Sequence, residues 1–511
     1  MASMDLGEPE EPGMAAFESG IRADHIAWAS VAHAPQQPAH RPRNLGMATS
    51  QSDRARLSPL LPERGIAWLL APAHPANLAV FRIATCLAWL IVLNIDESLF
   101  FADWPRPLMG PRNFWLALGW PSMHNQSLVL ACGVLAHVAL VLGILGLFAR
   151  PALIVLLICG GYVVTIPQFA GSTHHFNHVL QATMLLIASP CDHALALRRP
   201  RDVRGSTPRA CSPSVAYALP LRAMVLILGI AYFFAGVWKL VNVGTFWLTS
   251  TNFINQLHTK WHEFHTDDLP LRIDHWPLLC MLGAIGTVVI ELGWGVLALS
   301  GRKGRGLAAL GATFFHATTW YFLRINFMHL ALMQVILFDW HRIGCWLWRR
   351  STSAITPAIP SCPAHHRDVL MTLILGSSLL VGMLLNGALK RNDWPLGCYP
   401  RFDRRAHDRL NVLIVTASLP DGSTRTFRED ALHPYMRTSR ARATFERAMR
   451  DDASVQRDER LRSLWSVLVR IDPAIAYATR VEFVRQSESI RPGSPDARDR
   501  MTLMVMDAGS D

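Results

Sequence analysis

A lysine at the end of an apolar helix is the residue in this chain best placed to do chemistry. In the stretch YFFAGVWKLVNVGTFW, residues 232–247, Tyr232, Ala235, Gly236 and Lys239 fall at i, i+3, i+4 and i+7 and share one helix face. Small residues on that face let a second helix or a flat ligand approach the backbone closely. A lysine stripped of water at the edge of such a slot gives up its proton more readily, and the neutral amine then serves as a base. Trp238 and Trp247 flank it, so the same lysine also reads as a snorkelling anchor at a membrane interface.

Other ionisable residues lie where they could meet this lysine. His174, His175 and His178, in STHHFNH, open one apolar run; His316 lies within another, His329 opens the next, and Glu291 sits deep in VVIELGWG. Ionisable groups at such depth are by default paired or functional. The bland readings stand beside the chemical ones: a buried histidine that only hydrogen-bonds, a Glu291 that bridges helices to Arg82 or Arg222, and a structural Lys239 that pairs closely with an acid such as Glu291, where a base requires burial without a strong carboxylate partner. The nine cysteines form no CxxC pair and most fall inside apolar runs, so neither a zinc site nor a disulfide framework is expected, and the metal-ligand set is empty.

The elements that would position these groups are membrane helices. The composition is 51% hydrophobic and only 17% charged, against about 25% charged in soluble domains. Apolar runs long enough to cross a bilayer recur, and about nine are read, at 77–95, 127–148, 152–167, 178–190, 215–240, 276–300, 306–323, 325–341 and 369–389. The third and fourth are short enough to be tilted, broken or partly re-entrant. The net charge of +11 sits in short connections, such as Arg198 to Arg209, Arg302 to Arg305 and Arg342 to Arg350, whereas those holding Asp96, Glu97 and Asp103, or Glu263 and Asp274, are acidic or mixed. That pattern reads as topology, not nucleic-acid binding, and places the N-terminus in the cytoplasm and the C-terminus outside.

Residues 1–64 are rich in Pro, Ala, Ser, Arg and His without apolar periodicity and are expected to be disordered. No removable signal peptide is evident. Residues 75–390 form the transmembrane domain. Over 391–511 the pattern changes: NVLIVTASLPDGSTRTF alternates around Pro420-Asp421-Gly422 as a β-hairpin does, VEFVR and MTLMVMD read as further strands, and ARATFERAMRDD as a helix. The fold class is therefore an α-helical polytopic membrane protein with a small extracytoplasmic α+β domain. The arginine- and alanine-rich composition suggests a bacterium, hence the cell inner membrane.

Several of these stretches resemble the vitamin K-dependent gamma-carboxylase superfamily, whose shared membrane region is the horizontally transferred transmembrane (HTTM) domain. YFFAGVWKL resembles its tyrosine-phenylalanine, alanine-glycine, lysine-leucine motif; FNHVLQATMLLI its asparagine-histidine helix start; IELGWG its acidic helix; and FFHATTWYF its phenylalanine-histidine helix. DWPLGCYPRF and the hairpin look like the segment and first strands that follow the membrane region, so the resemblance covers about residues 75–485. It implies that Lys239 deprotonates a reduced quinone such as vitamin K-type hydroquinone and that oxygen turns this into a base strong enough to remove a γ-proton from a peptide glutamate, to which carbon dioxide adds. It also implies that His178 stabilises charge and that His316 and Glu291 line or orient the pocket, with Tyr232 and Gly236 on its wall. The chain departs from the animal enzyme in having one lysine where that enzyme has two, in lacking a cysteine in its first outer loop, and in its shorter C-terminal domain.

Two function classes follow. One is a membrane enzyme using Lys239 on a lipid-soluble or peptide substrate. The other is a non-enzymatic membrane partner or maturation factor for a secreted peptide. A transporter is disfavoured, because no internal repeat is visible and the polar residues gather toward one side.

Overall fold

The structure is a computed structural model that describes residues 61–110, 125–169, 176–197, 213–264, 271–347, 366–391, 394–398, 402–450, 454–493 and 496–507. His174 and His175 lie outside these residues, as does most of the segment expected to be disordered; helix α1, Leu61–Leu70, begins before that segment's expected end.

The bundle is built in chain order. Helix α2, Pro75–Val92, starts on a proline in its first turn, where the missing N–H is not needed, with His74 as its cap. The short α3, Ile95–Ala102, is capped by Asn94. Asn125 caps α4, Gln126–Leu145, which ends on Gly146 in the left-handed region at φ 69°. Helix α5, Ala149–Phe169, contains a π-helical turn at Leu156–Gly160. Then come α6, Asn177–Ile187, α7, Val215–Val243, and α8, Ser250–Phe264. Helices α9, Pro277–Leu299, and α10, Arg302–Leu323, are joined by the tight turn at Gly301. Helix α11, Met328–Leu337, ends in a 3-10 turn and is followed by α12, Trp340–Leu347, and α13, His366–Ala388.

Among the described residues six helices, α2, α4, α5, α7, α9 and α13, are long and apolar enough to cross a membrane. The other three of the nine expected spans differ in kind. Helix α6 has 11 residues, so it rises about 16 Å where a hydrocarbon core is about 30 Å. Helix α11, Met328–Leu337, is similarly short. Helix α10 is long, but Arg302, Lys303 and Arg305 occupy its first turns. Apolar runs in the sequence do not reveal where a helix stops, and Phe176 and Phe327 sit just ahead of the first helical residues of α6 and α11.

One end of the bundle is tied by Arg82, which donates to the carbonyls of Cys191 at 2.6 Å and Leu195 at 2.5 Å, by Arg150 on Asp368 at 2.9 Å, and by Asn77 with Asp339. Arg222 donates to the Leu69 carbonyl at 2.6 Å. Both arginines expected as partners of Glu291 are thus taken up by backbone carbonyls. At the other end, Trp394–Cys398 turns back into the bundle above α6: Asn177 donates to Gly397 O at 3.0 Å, Gln181 to Pro395 O at 3.2 Å, and Trp394 Nε1 to Thr165 Oγ1 at 2.9 Å. This segment occupies the room that the short helix leaves.

The C-terminal part is a four-stranded antiparallel sheet in the order β2-β1-β3-β4, from β1, Arg409–Ser418, β2, Thr424–Phe427, β3, Arg480–Ser489, and β4, Ala497–Asp507. The β1–β2 hairpin turns at Gly422, whose φ of 83° only glycine adopts without strain. Helices α14, Thr438–Ala448, and α15, Ser454–Ile471, cover the sheet, and Phe445, Leu464, Val415 and Phe483 share a core with Phe101, Trp104 and Ile166 of the bundle. The sheet is therefore packed onto the membrane helices through a continuous apolar core.

Candidate functional site

Glycines set the distance between α7 and α9. Gly229 and Gly295 face each other across the crossing, and a Cβ on Gly236 would stand 2.9 Å from Leu292 and 3.1 Å from the Glu291 side chain. One turn beyond Gly236, this close approach brings Lys239 onto Glu291. Nζ lies 2.6 Å and 2.8 Å from the two carboxylate oxygens, 3.3 Å from the Ala235 carbonyl and 5.4 Å from the Trp247 ring centroid. Both ions are buried, Lys239 at 3% exposure and Glu291 at 5%. The lysine is thus neither a snorkelling anchor nor a lone amine but half of a dry ion pair. Gly236, expected on the wall beside Tyr232, is spent on the helix contact instead of facing open space.

A cavity of about 560 Å³ opens beside this pair. Lys239, Glu291, Tyr232, His316 and His178 all line it, so residues from α6, α7, α9 and α10 meet at one space. Tyr232 Oη and His316 Nε2 share a hydrogen bond of 2.6 Å, and Tyr232 stacks on Trp294 at 5.1 Å. His178 Nε2 and His329 Nδ1 share one of 3.1 Å, which joins the first turns of the two short helices. The second ring nitrogen of each lining histidine, Nδ1 of His178 and of His316, is buried with no protein partner, as is Oε1 of Gln181. Buried polar atoms left unsatisfied are costly, and here they gather around one open volume.

The remaining walls are apolar. Along α9, Leu279, Leu282, Gly283, Gly286, Thr287 and Ile290 recur at three and four residues and line the cavity. Leu279, Leu282 and Phe314 of α10 are also exposed on the bundle surface, so the cavity reaches the surface that faces lipid between α9 and α10. Toward the sheet it is closed by α8, through Phe253 and Gln256, and by Phe402. Phe402 stands in the left-handed region at φ 58°, a conformation that costs a non-glycine residue about 1–2 kcal/mol. Its carbonyl accepts from Trp247 Nε1 at 2.6 Å, while Asp403 takes Asn242 at 2.7 Å and Lys390 at 2.8 Å.

Gln181, Phe402 and α8 were not singled out from the sequence, and Trp247 only as an interfacial flank of Lys239. Gln181 carried a usable signal, since it falls three residues after His178 on the same face. Nothing local announces Phe402, which reaches the cavity through tertiary contacts. Among the described residues no three His, Cys, Asp or Glu side chains come together to hold a metal.

A helical bundle with six membrane-length apolar helices, an intramembrane ion pair beside an apolar cavity and a C-terminal α+β extension defines a multi-pass membrane protein. Residues 70–340 match the HTTM domain, and the chain belongs to that family. No curated protein and no solved structure matches it.

Proposed function

We propose that the chain is an integral membrane enzyme that transfers a proton to or from a lipid-soluble ring substrate, with Lys239 and Glu291 acting as a unit. The observation that carries this reading is the gathering of an ion pair and two imidazoles with unpartnered nitrogens around one apolar, lipid-facing cavity. The resemblance to the gamma-carboxylases names the ring as a reduced quinone of the vitamin K type. Such a ring fits the apolar walls, with its hydroxyl groups within the reach of His178, His316 and Gln181. Bound there, it would supply, on reaction with oxygen, the strong base needed to carboxylate a glutamate side chain.

The chain's own part is proton handling. A buried lysine and glutamate in contact pass a proton between them with little change in solvation, because the neutral pair carries no charge into the dry site. Lys239 then presents a free amine while Glu291 holds the proton. His178 and His316 orient the ring and steady negative charge on its oxygens, and Tyr232 fixes the His316 ring. In the same reading the chain lies in the cell inner membrane with its N-terminus cytoplasmic and the sheet outside. The nine passes that this sidedness requires would be the six long helices, α10, and α6 and α11 as broken passes, each too short to cross as a helix alone. The domains run 75–390 in the membrane and 391–511 outside, save that Trp394–Cys398 turns back into the bundle, and a peptide would arrive from the sheet side.

A second reading rests on one observation, the 2.6 Å contact that clamps α7 to α9. It makes Lys239 a structural residue of a non-enzymatic partner or maturation factor for a secreted peptide. Lys239→Arg separates the two, because arginine keeps the pair but does not release a proton in the working pH range. Membranes given reduced vitamin K, bicarbonate and a glutamyl peptide should yield a product heavier by carbon dioxide, or quinone epoxide, with the native chain. The arginine variant should insert normally and yield neither. Equal yields from both chains would leave Lys239 with the clamping role alone.

A further inference from the structure

We propose that Gln181 selects the redox state of the ring that enters the cavity. It takes a ring bearing a hydroxyl group and turns away the same ring once that hydroxyl has become a carbonyl. The proposal rests on the reading of the cavity as the seat of a lipid-soluble ring and adds to it the residue that tells the two states apart.

Gln181 lies one turn along α6 from His178, lines the cavity and is 1% exposed. Its amide is fixed from one side. Nε2 donates to the Pro395 carbonyl at 3.2 Å and to Met383 Sδ at 3.3 Å, so both of its hydrogens are in use. Turning the amide over would set Oε1 against the Pro395 oxygen, two acceptors face to face, and give up both contacts. Pro395 is itself held: Asn177 donates to Gly397 O at 3.0 Å, Trp394 Nε1 to Thr165 Oγ1 at 2.9 Å, and Cys398 Sγ to Met383 O at 2.8 Å. Oε1 is thus left on the opposite side of the amide, buried and without a partner among the described residues. An amide oxygen can only accept.

The other polar groups on this volume have no such commitment or are already taken. An imidazole presents a donor or an acceptor according to which nitrogen carries the proton, provided that its partner can exchange roles with it. His178 shares its hydrogen bond with a second imidazole, His329, and His316 with the Tyr232 hydroxyl, and either partner can donate or accept. Both rings therefore adapt to a hydroxyl or to a carbonyl. Lys239 spends its three donors on the two Glu291 oxygens and the Ala235 carbonyl. Gln181 alone among these groups combines a fixed polarity with an open bond. A hydroxyl gives Oε1 the hydrogen it lacks. A carbonyl in the same place leaves two buried acceptors facing each other, and a site built to hydrogen-bond a hydroxyl strongly rejects the analogue without one. Oxidation of the ring then also loosens it, because the product lacks the bond that held the substrate.

The test measures binding alone and so does not depend on turnover. The full chain in lipid nanodiscs, kept without oxygen, is titrated with a short-chain naphthoquinone, with its quinol and with the dimethyl ether of that quinol, and protection against heating gives each affinity. The ether keeps the reduced ring and removes its donors. The native chain should bind the quinol about tenfold or more tightly than either the quinone or the ether. Gln181→Met, similar in volume, should lower the affinity for the quinol to that of the other two and leave theirs unchanged. The melting temperature of this variant without ligand reports whether Trp394–Cys398 has kept its place, and the comparison of the three rings on the native chain needs no variant. Equal affinity of the native chain for all three would overturn the selection while the ring reading stands. Discrimination that survives in a folded Gln181→Met chain would take the assignment away from Gln181. Binding of none of the three would overturn the ring reading, and this inference with it.

Discussion

Charges are handled differently at the junction of sheet and bundle and around the cavity. At the junction, three carboxylates are surrounded by donors. Glu97, on α3, accepts from the Arg437 backbone at 3.1 Å and faces the guanidinium groups of Arg440 at 3.1 Å and Arg437 at 3.5 Å. Glu488 holds Arg428 at 2.8 Å and His262 at 3.4 Å, with Gln486 beside them, and Asp274 holds Arg272 at 2.7 Å and His258 at 3.0 Å. In the cavity, Glu291 meets one cation, Lys239, and both face open volume. Saturated ions of the first kind act as cross-links between elements. An ion pair of the second kind, set beside unsatisfied imidazoles, has capacity left for something that is not part of the chain.

The largest effect should come from breaking either pair on one side only. Glu97→Gln leaves Arg440 at 1% exposure without its counter-ion, and Glu291→Leu leaves Lys239 likewise; each should destabilise by about 3–5 kcal/mol. Replacing both partners at once sharpens the contrast. Glu97→Leu with Arg440→Met should restore the melting temperature in detergent and leave activity intact, whereas Lys239→Met with Glu291→Leu should restore melting and abolish activity. An active cavity double variant would erase the distinction. Next in size is Gly236→Val, whose side chain would collide with Leu292 and should destabilise by about 1–3 kcal/mol. It should also reduce activity by pushing α9 away from Lys239; unchanged thermal stability would show that this contact is not tight.

His178→Phe removes one shared hydrogen bond and should lower stability by no more than about 1.5 kcal/mol. If the unpartnered nitrogen serves a ligand, the same change should abolish binding of reduced vitamin K, measured as protection of the protein against heating. Binding that survives would take His178 out of the site. The smallest effect concerns pH at the junction. The hydrogen bond from His262, opposed by partial burial and helped by Gln486 and Arg428, holds the Glu488 carboxyl at about 2 instead of 4.5. Because the folded value is the lower one, the stability it contributes is present above 4.5 and is lost as pH falls from there toward 2. Limited proteolysis between β3 and α8 should accelerate across that window, and Glu488→Gln should flatten the change.

Much of this was legible in the sequence. Apolar runs located the six long helices because membrane crossing imposes a length and a composition. The alternation around Pro420-Asp421-Gly422 located the β1–β2 hairpin because strand periodicity is local. The shared face of Tyr232 and Lys239 followed from helical spacing, and both line the cavity. What stayed hidden depends on contacts between distant residues. The choice of Lys239 rather than Arg82 or Arg222 as the partner of Glu291 is made where α7 crosses α9 at its glycines. The shortness of α6 depends on Trp394–Cys398, which lies some 200 residues further along the chain and has no sequence signature of filling a bundle.

That inserted segment constrains how the molecule can be rearranged. Trp394 and Cys398 are buried among the membrane helices although they belong to the connection that leads to the sheet. The natural cut for a chimera exchanging the outer domain between homologous chains is therefore not the end of α13 but a point beyond Asp403, since Phe402 and Asp403 are also tied to the membrane helices. A splice made at residue 390 would take away both the segment that holds α6 and Phe402 of the cavity wall, so recombination and gene fusion should spare that interval.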